Sequence, residues 1–168
     1  RLDQPVEGVL VFGKTPQATA WLNKQHQNGM MKKEYLAVFT GTPVKEKQGI
    51  WEDYLIKDGK TNTSRVTGKK DRMAKKAVLS YRIMDWRDDR GLAEIRLGTG
   101  RHHQIRVQLS HEGLPLLGDR KYNPSGEKGT SLGLCSSCLE FKHPRTGKMM
   151  KFETEPQGNA FLDFVKKV

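Results

Sequence analysis

Short runs rich in β-branched and aromatic residues, bounded by glycine or by polar turns, recur along this chain at 9–12, 33–41, 51–56, 77–84, 91–97, 133–141 and 149–152. Each has the length and residue type of a strand, and against so many strands the helical stretches are few. One helix is expected after Thr15, a capping residue followed by Pro16 at the first helical position, with Ala18, Trp21 and Leu22 recurring at three and four residues and Trp21 read as core. Asn28-Gly29 would end it, since both residues tolerate a left-handed backbone. A second helix is expected over 102–111, stopping at Gly113, and a short third over 160–168. Strands and helices that do not alternate regularly predict an α+β fold on a mainly antiparallel sheet. The segment 57–76 is polar, lysine-rich and glycine-punctuated, and reads as a loop or a mobile hairpin.

At 168 residues the chain is about one domain, and at that size it buries roughly two-thirds of the surface its unfolded form exposes. Its 30 Lys and Arg outnumber 19 Asp and Glu, for a net charge of +11 spread along the sequence. Such a surface concentrates phosphate-bearing ligands and speeds their capture, which favours a polyanionic partner, nucleic acid first. No apolar run approaches bilayer length and no leader pattern is seen, so the expectation is a soluble, cytoplasmic protein without a membrane partner. Cys135 and Cys138 are its only cysteines. A structural zinc wants four ligands, and His143 adds at best a third, so no metal site is expected and the two read as small strand residues.

The stretch "GTGRHHQIRVQLSHEGLPLLGD", 98–119, mixes arginines and histidines with a helical apolar stripe. Ile105 and Leu109 lie four apart and face the core, while His102, Arg106 and Ser110 form the neighbouring row. An arginine presented beside a core needs an acidic partner, because an unpaired buried charge is very costly. Asp119, past the Pro115 turn, and Asp3, at the entry to the first strand, are the candidates, and composition does not choose between them.

In order and spacing, "RLDQPVEGVLVFGKT", "KKEYLAVFTG" and "TGRHHQIRVQLSHEGLPLLGDRKY" resemble the sequence blocks of the RluA-type pseudouridine synthase family, and "FKHPRTGKMMKF" extends the likeness over nearly the whole chain. The resemblance implies the pseudouridine synthase fold, a bent, mainly antiparallel sheet with helices and loops around a central cleft. It implies an isomerase that converts uridine in rRNA or tRNA to pseudouridine without metal or cofactor, acting as a monomer. Carried over residue by residue, it makes Asp3 the essential aspartate, Tyr35 the active-site tyrosine that stacks on uracil and accepts a proton, and Arg106 the partner of Asp3. Arg1 corresponds to the arginine that fills the space of the flipped nucleotide. Arg101, His103, Gln104 and Leu109 fall in the third block as substrate- or RNA-binding positions, with His103 and Gln104 as hydrogen-bonding groups and His102 and His111 as surface residues. The sequence opens without Met, and a single catalytic domain over 1–168 that lacks its amino-terminal part is expected. Two departures from the family pattern stand out: Gln4 and Val6-Glu7 after the aspartate, where a basic residue and Thr-Ser are common, and Leu134-Cys135-Ser136 in place of leucine-histidine-alanine.

Overall fold

The computed structural model describes residues 2–42, 45–123 and 126–164. In chain order these form β1 (Glu7–Gly8), α1 (Pro16–Gln27), β2 (Lys32–Thr40), β3 (Gln48–Asp58), β4 (Thr63–Thr67), β5 (Lys75–Arg87), β6 (Arg90–Leu97), α2 (Gln104–His111), β7 (Leu134–Lys142), β8 (Met149–Glu153) and a 3₁₀ turn (Asn159–Phe161). The strands make one sheet in the order β1-β7-β2-β6-β5-β3-β4, with β8 also on β7. Its pairings are antiparallel apart from β1 with β7.

The apolar run of β2 follows from its place at the centre. Tyr35, Ala37 and Phe39 pack on one face with Leu79 of β5, Ile95 of β6, and Ile105 and Leu109 of α2. Val38 packs on the other with Leu117, Cys135 and Phe161. A strand covered on both faces reads as continuously apolar rather than alternating. Each fully buried leucine or isoleucine that α2 lays on the sheet contributes about 1.5–3 kcal/mol. At α1, Thr15 caps the helix by accepting the Ala18 N–H at 3.1 Å, and Gly29, at φ +67°, turns the chain out of it. The face it buries is Leu22 and Gln25, whereas Trp21 is only half-buried. Gln25 does what an apolar residue cannot: its amide donates to the Lys142 carbonyl at 3.0 Å and accepts the Lys142 N–H at 2.8 Å, tying α1 to β7.

Three sequence expectations are corrected, and the alternative left open for 57–76 is resolved. The run 9–12 is not a buried strand: pairing stops at Gly8, because β8 occupies the same edge of β7 from Cys138 onward, and Phe12 is 79% exposed. Segment 57–76 is a hairpin, since β3 continues to Asp58, whose Oδ1 accepts the Lys60 N–H at 2.8 Å, and β4 returns beside it. Helix α2 starts at Gln104 instead of His102, because His103 takes a left-handed conformation, φ +52°. The chain's end shows a 3₁₀ turn at Asn159–Phe161, and residues 165–168 lie outside the described residues.

Where β2 meets β7 the register slips, so that Ser136 and Ser137 together oppose Tyr35. Bulges of this kind re-aim side chains and gather beside functional sites. On the far side of the bulge Gly8, at φ +123°, lies so close that a Cβ there would fall 2.3 Å from the Ser136 carbonyl oxygen. Only glycine fits, and its fit anchors the segment that carries Asp3. Glu7, one of the departures from the family pattern, adds a second anchor by accepting the N–H groups of Gln157 and Gly158 at 2.9 and 3.0 Å.

Candidate active site

Arg106 leaves α2 with a side chain only 4% exposed and holds both candidate acids. Its Nε and Nη2 donate to the two carboxylate oxygens of Asp119 at 2.8 and 2.7 Å, a planar fork, and its Nη1 donates to Oδ2 of Asp3 at 2.5 Å. The choice left open by composition is thus resolved as a shared cation. Asp119 is fully buried, and its Oδ1 also accepts the N–H groups of Lys121 and Tyr122. Burial alone would lower the affinity of this guanidinium for its proton, but the hydrogen bonds and charges of Asp119, then of Asp3, carry it above the ordinary range.

His103 approaches the same oxygen of Asp3, its Nε2 lying 2.9 Å from Oδ2. The approach is out of line for a hydrogen bond, so Nε2 is one of two buried side-chain polar atoms without a partner among the described residues. On the far side of the ring Nδ1 lies 2.7 Å from the Tyr122 hydroxyl, which already accepts the Ser64 N–H at 2.7 Å. In the tautomer in which the Tyr122 hydroxyl donates to Nδ1, a neutral ring carries its own proton on Nε2, toward Asp3. Burial, then the charge of Arg106, pushes His103 down to about 4, which keeps it neutral near pH 7. His102 is not a surface residue: it is half-buried, stacks on His103 at 3.8 Å, and its Nδ1 lies 2.9 Å from the Ser64 hydroxyl. His111 is exposed.

Asp3, Arg106 and His103 open into a cleft of about 100 Å³ that Tyr35 and Arg101 also line, with apolar walls from Leu2, Ile105 and Leu134. Tyr35 is 9% exposed, and burial raises its hydroxyl above the usual phenol range. Arg101 reaches along the rim, its Nε donating to the Lys76 carbonyl at 2.8 Å. Gln104 holds the turn that enters α2: its Oε1 accepts from the Arg101 N–H and the Thr99 hydroxyl, and its Nε2 donates to the Val78 carbonyl. Leu109 is 1% exposed in the core and does not reach the cleft. Arg1 lies outside the described residues. Tyr122 and Ser64 were missed from sequence; the tyrosine stood in the third block, while nothing local marks a backbone N–H in a polar hairpin as its partner.

A larger, open depression of about 600 Å³ around Ile50 and Tyr81 has Glu94 as its carboxylate, bound to Arg82 and Arg96. Cys135 and Cys138 are buried and free on β7, and burial, then Glu7, pushes the Cys135 thiol up to about 11, so it stays protonated. No described helix is long and apolar enough to cross a membrane.

A family model described as RNA pseudouridylate synthase matches residues 1–111. The chain is 33% identical over 154 residues to "Uncharacterized RNA pseudouridine synthase YlyB" of Bacillus subtilis (strain 168), covering 91% of this chain and 50% of that protein. It is 33% identical over 172 residues to "Ribosomal large subunit pseudouridine synthase D" of Zymomonas mobilis, covering 96% of this chain and 53% of the other. It spans about half the length of these relatives. Among solved structures, "Human RNA Pseudouridylate Synthase Domain Containing 1" superposes with a TM-score of 0.71 at 20% identity, over 85% of this chain and 62% of that one. The α+β fold is therefore that of pseudouridylate synthase domains.

Proposed function

Because the chain belongs to the RNA pseudouridylate synthase family, we propose that it isomerises uridine to pseudouridine within RNA, at the cleft between Asp3 and Tyr35. Atoms balance without a co-reactant. The bond from ribose C1′ to N1 breaks, a bond from C1′ to C5 forms, the hydrogen on C5 leaves, and N1 gains one.

The observation that carries this reading is the Asp3 carboxylate. Its contacts with Arg106 and His103 engage Oδ2, and Oδ1 is left for the substrate. A fixed guanidinium keeps such a group ionised beside apolar walls. Attack on the nucleoside and stabilisation of positive charge on the ribose as uracil departs both use that free oxygen. Tyr35 supplies the stacking face that offsets part of the few kcal/mol needed to pull a base from its stack. Burial keeps its hydroxyl protonated, so it accepts the C5 proton only as it gives its own to solvent, from which N1 takes its hydrogen. The apolar walls offer a detached ring no directional bond and let it turn. Arg101 meets RNA phosphate at the rim, Arg1 takes the space of the flipped nucleotide, and His103 and Gln104 hold Asp3 and the loop around it. Leu109 supports α2 from the core.

The RNA is ribosomal or transfer RNA, met in the cytoplasm by one catalytic unit over 1–168 acting as a monomer. The name of the Zymomonas relative makes large-subunit rRNA the first to test. Incubation with unmodified transcripts of large-subunit rRNA and of tRNAs, followed by pseudouridine mapping, is expected to reveal conversion at one or a few fixed uridines. Tight RNA binding with no conversion in any of them overturns the proposal and leaves an RNA-binding protein with a spent site.

A further inference from the structure

Beyond Tyr35, away from Asp3, the cleft continues into a second pocket of about 100 Å³ between α1 and β2. Leu2 and Tyr35 line both chambers, so the tyrosine stands as the partition between them. Val11, Leu22 and Leu139 make its apolar walls. Its polar corner is Lys33 and His26, with the lysine Nζ 3.3 Å from His26 Nδ1.

Lys33 is two residues from Tyr35 on the same strand, hence on the same face and displaced by about 6.7 Å. It is half-buried, yet no described carboxylate lies within ion-pair distance. Nearby cations of the sheet are otherwise: Lys32, on the opposite face, pairs with Glu140, and Arg96 with Glu34. Burial lowers Lys33, and burial, then the charge of Lys33, lowers His26, so the corner is short of an anion. A partly desolvated ammonium without a counter-charge is costly unless something anionic completes it. The anion available at the mouth of an RNA-modifying cleft is the backbone of the substrate itself.

Resting on the pseudouridine synthase reading, we propose that this pocket takes the base next to the target uridine, and that Lys33 with His26 holds the phosphate joining the two nucleotides. The target and its neighbour then straddle Tyr35, one chamber each. The neighbouring nucleotide is captured through apolar walls and one charge, with Asn23 and Ser136 as the neutral polar side chains of the lining, so recognition here depends first on splaying the strand.

The test is binding of a fluorescent single-stranded oligouridylate 12-mer across a salt series, with steady-state turnover of the RNA that the unmutated protein converts. Lys33→Gln is expected to weaken Kd about five- to tenfold at low salt and to reduce the log–log salt slope by about 0.7, the share of one phosphate contact on a single strand. The turnover loss is expected in KM more than in kcat, and Lys33→Arg is expected to restore most of the binding. Val11→Trp, which fills the pocket without changing charge, is expected to weaken Kd while leaving the slope as it was. Lys33→Gln with unchanged Kd and slope overturns this pocket while leaving the active-site reading intact. Conversely, an unmutated protein that converts no RNA, but loses the 12-mer on Lys33→Gln, keeps the phosphate site and overturns the activity. Failure of the unmutated protein to bind the 12-mer overturns the pocket outright.

Discussion

Arg106 holds its two carboxylates differently, and the contrast separates structure from chemistry at one guanidinium. Toward Asp119 it offers two nitrogens to two oxygens, inside the protein, and backbone N–H groups of Lys121 and Tyr122 also donate to Oδ1. Toward Asp3 it offers one nitrogen to one oxygen, and 35% of that side chain stays exposed. A buried carboxylate held at both oxygens by a planar fork has no face open to a substrate. A singly held carboxylate on a fixed post is oriented and still has an oxygen free. The turn at 118–122 therefore reads as the foundation and the segment at 2–6 as the working edge, joined by a cation that cannot lose its proton.

The comparison breaks most sharply if the two aspartates are neutralised separately. Asp3→Asn should cut turnover by a thousandfold or more, on the order seen when a reacting group is removed, with RNA affinity within a few-fold and a melting temperature nearly unchanged. Single-turnover rates and melting curves on the same protein decide it, and turnover near the unmutated rate would take Asp3 out of the reaction. Asp119→Asn should do the reverse in kind. Removing one charge from a buried pair costs about 3–5 kcal/mol, which for a chain of this size lowers the melting temperature by about 6–20 °C. Denaturant titration would detect it; full stability with lost turnover would make Asp119 the chemical group and Asp3 the brace.

How much of this contrast the sequence carried depends on how far apart its parts lie in the chain. The helix cap at Thr15-Pro16, the run of β2 and the stripe of Ile105 and Leu109 were legible because they are local and periodic. The run 9–12 misled because its apolar residues cover α1 and the pocket beside Tyr35, while β8, more than a hundred residues away, claims the strand edge. The recurrence of Ala18, Trp21 and Leu22 puts Trp21 in the core, but the buried contact falls to Gln25, whose partner is Lys142. At the site, Asp3, Tyr35 and Arg106 came from a motif resemblance, but the double use of Arg106 did not: an arginine row on a helix says that an acid is needed and is silent on how many. The Ser64–Tyr122–His103 chain joins a hairpin, a turn and a helix end, and no spacing rule spans those distances.

His103 offers a finer break, through pH. Its ordinary value near 6.5 falls to about 4 in the folded protein, so as pH drops the unfolded chain takes up the proton first. The corresponding stability is fully present above about pH 6.5 and is lost as pH falls toward 4, by up to about 3 kcal/mol at roughly 1.4 kcal/mol per pH unit. His26 and His102 are lowered as well, so the useful quantity is the difference from His103→Asn, measured by denaturant titration from pH 7.5 to 4.5. The unmutated protein should lose stability relative to the variant with acidification. Parallel curves would mean that folded His103 binds its proton as readily as the unfolded chain does, and that Asp3 is faced by two cations.

The smallest expected effect tests what aims His103 at the working edge. Tyr122→Phe keeps the ring that lies under Arg106 at 5.2 Å and removes only the hydroxyl. Two bonds go with it, the acceptor for the Ser64 N–H and the donor to His103 Nδ1, each worth about 0.5–1.5 kcal/mol net. With no donor at Nδ1 the neutral ring is free to carry its proton on that nitrogen, and the Nε2 lone pair would then face a carboxylate that repels it. Asp3 would keep its bond to Arg106 but lose the N–H that faces Oδ2, so it should sample more orientations. Turnover should drop roughly three- to tenfold, far less than for Asp3→Asn, with KM for RNA unchanged because no phosphate contact is touched. Nitrogen chemical shifts of His103 in the two proteins would report the tautomer directly. If the proton sits on Nε2 in both and turnover is equal, the orientation of Asp3 owes nothing to the hairpin, and the working edge depends on Arg106 alone.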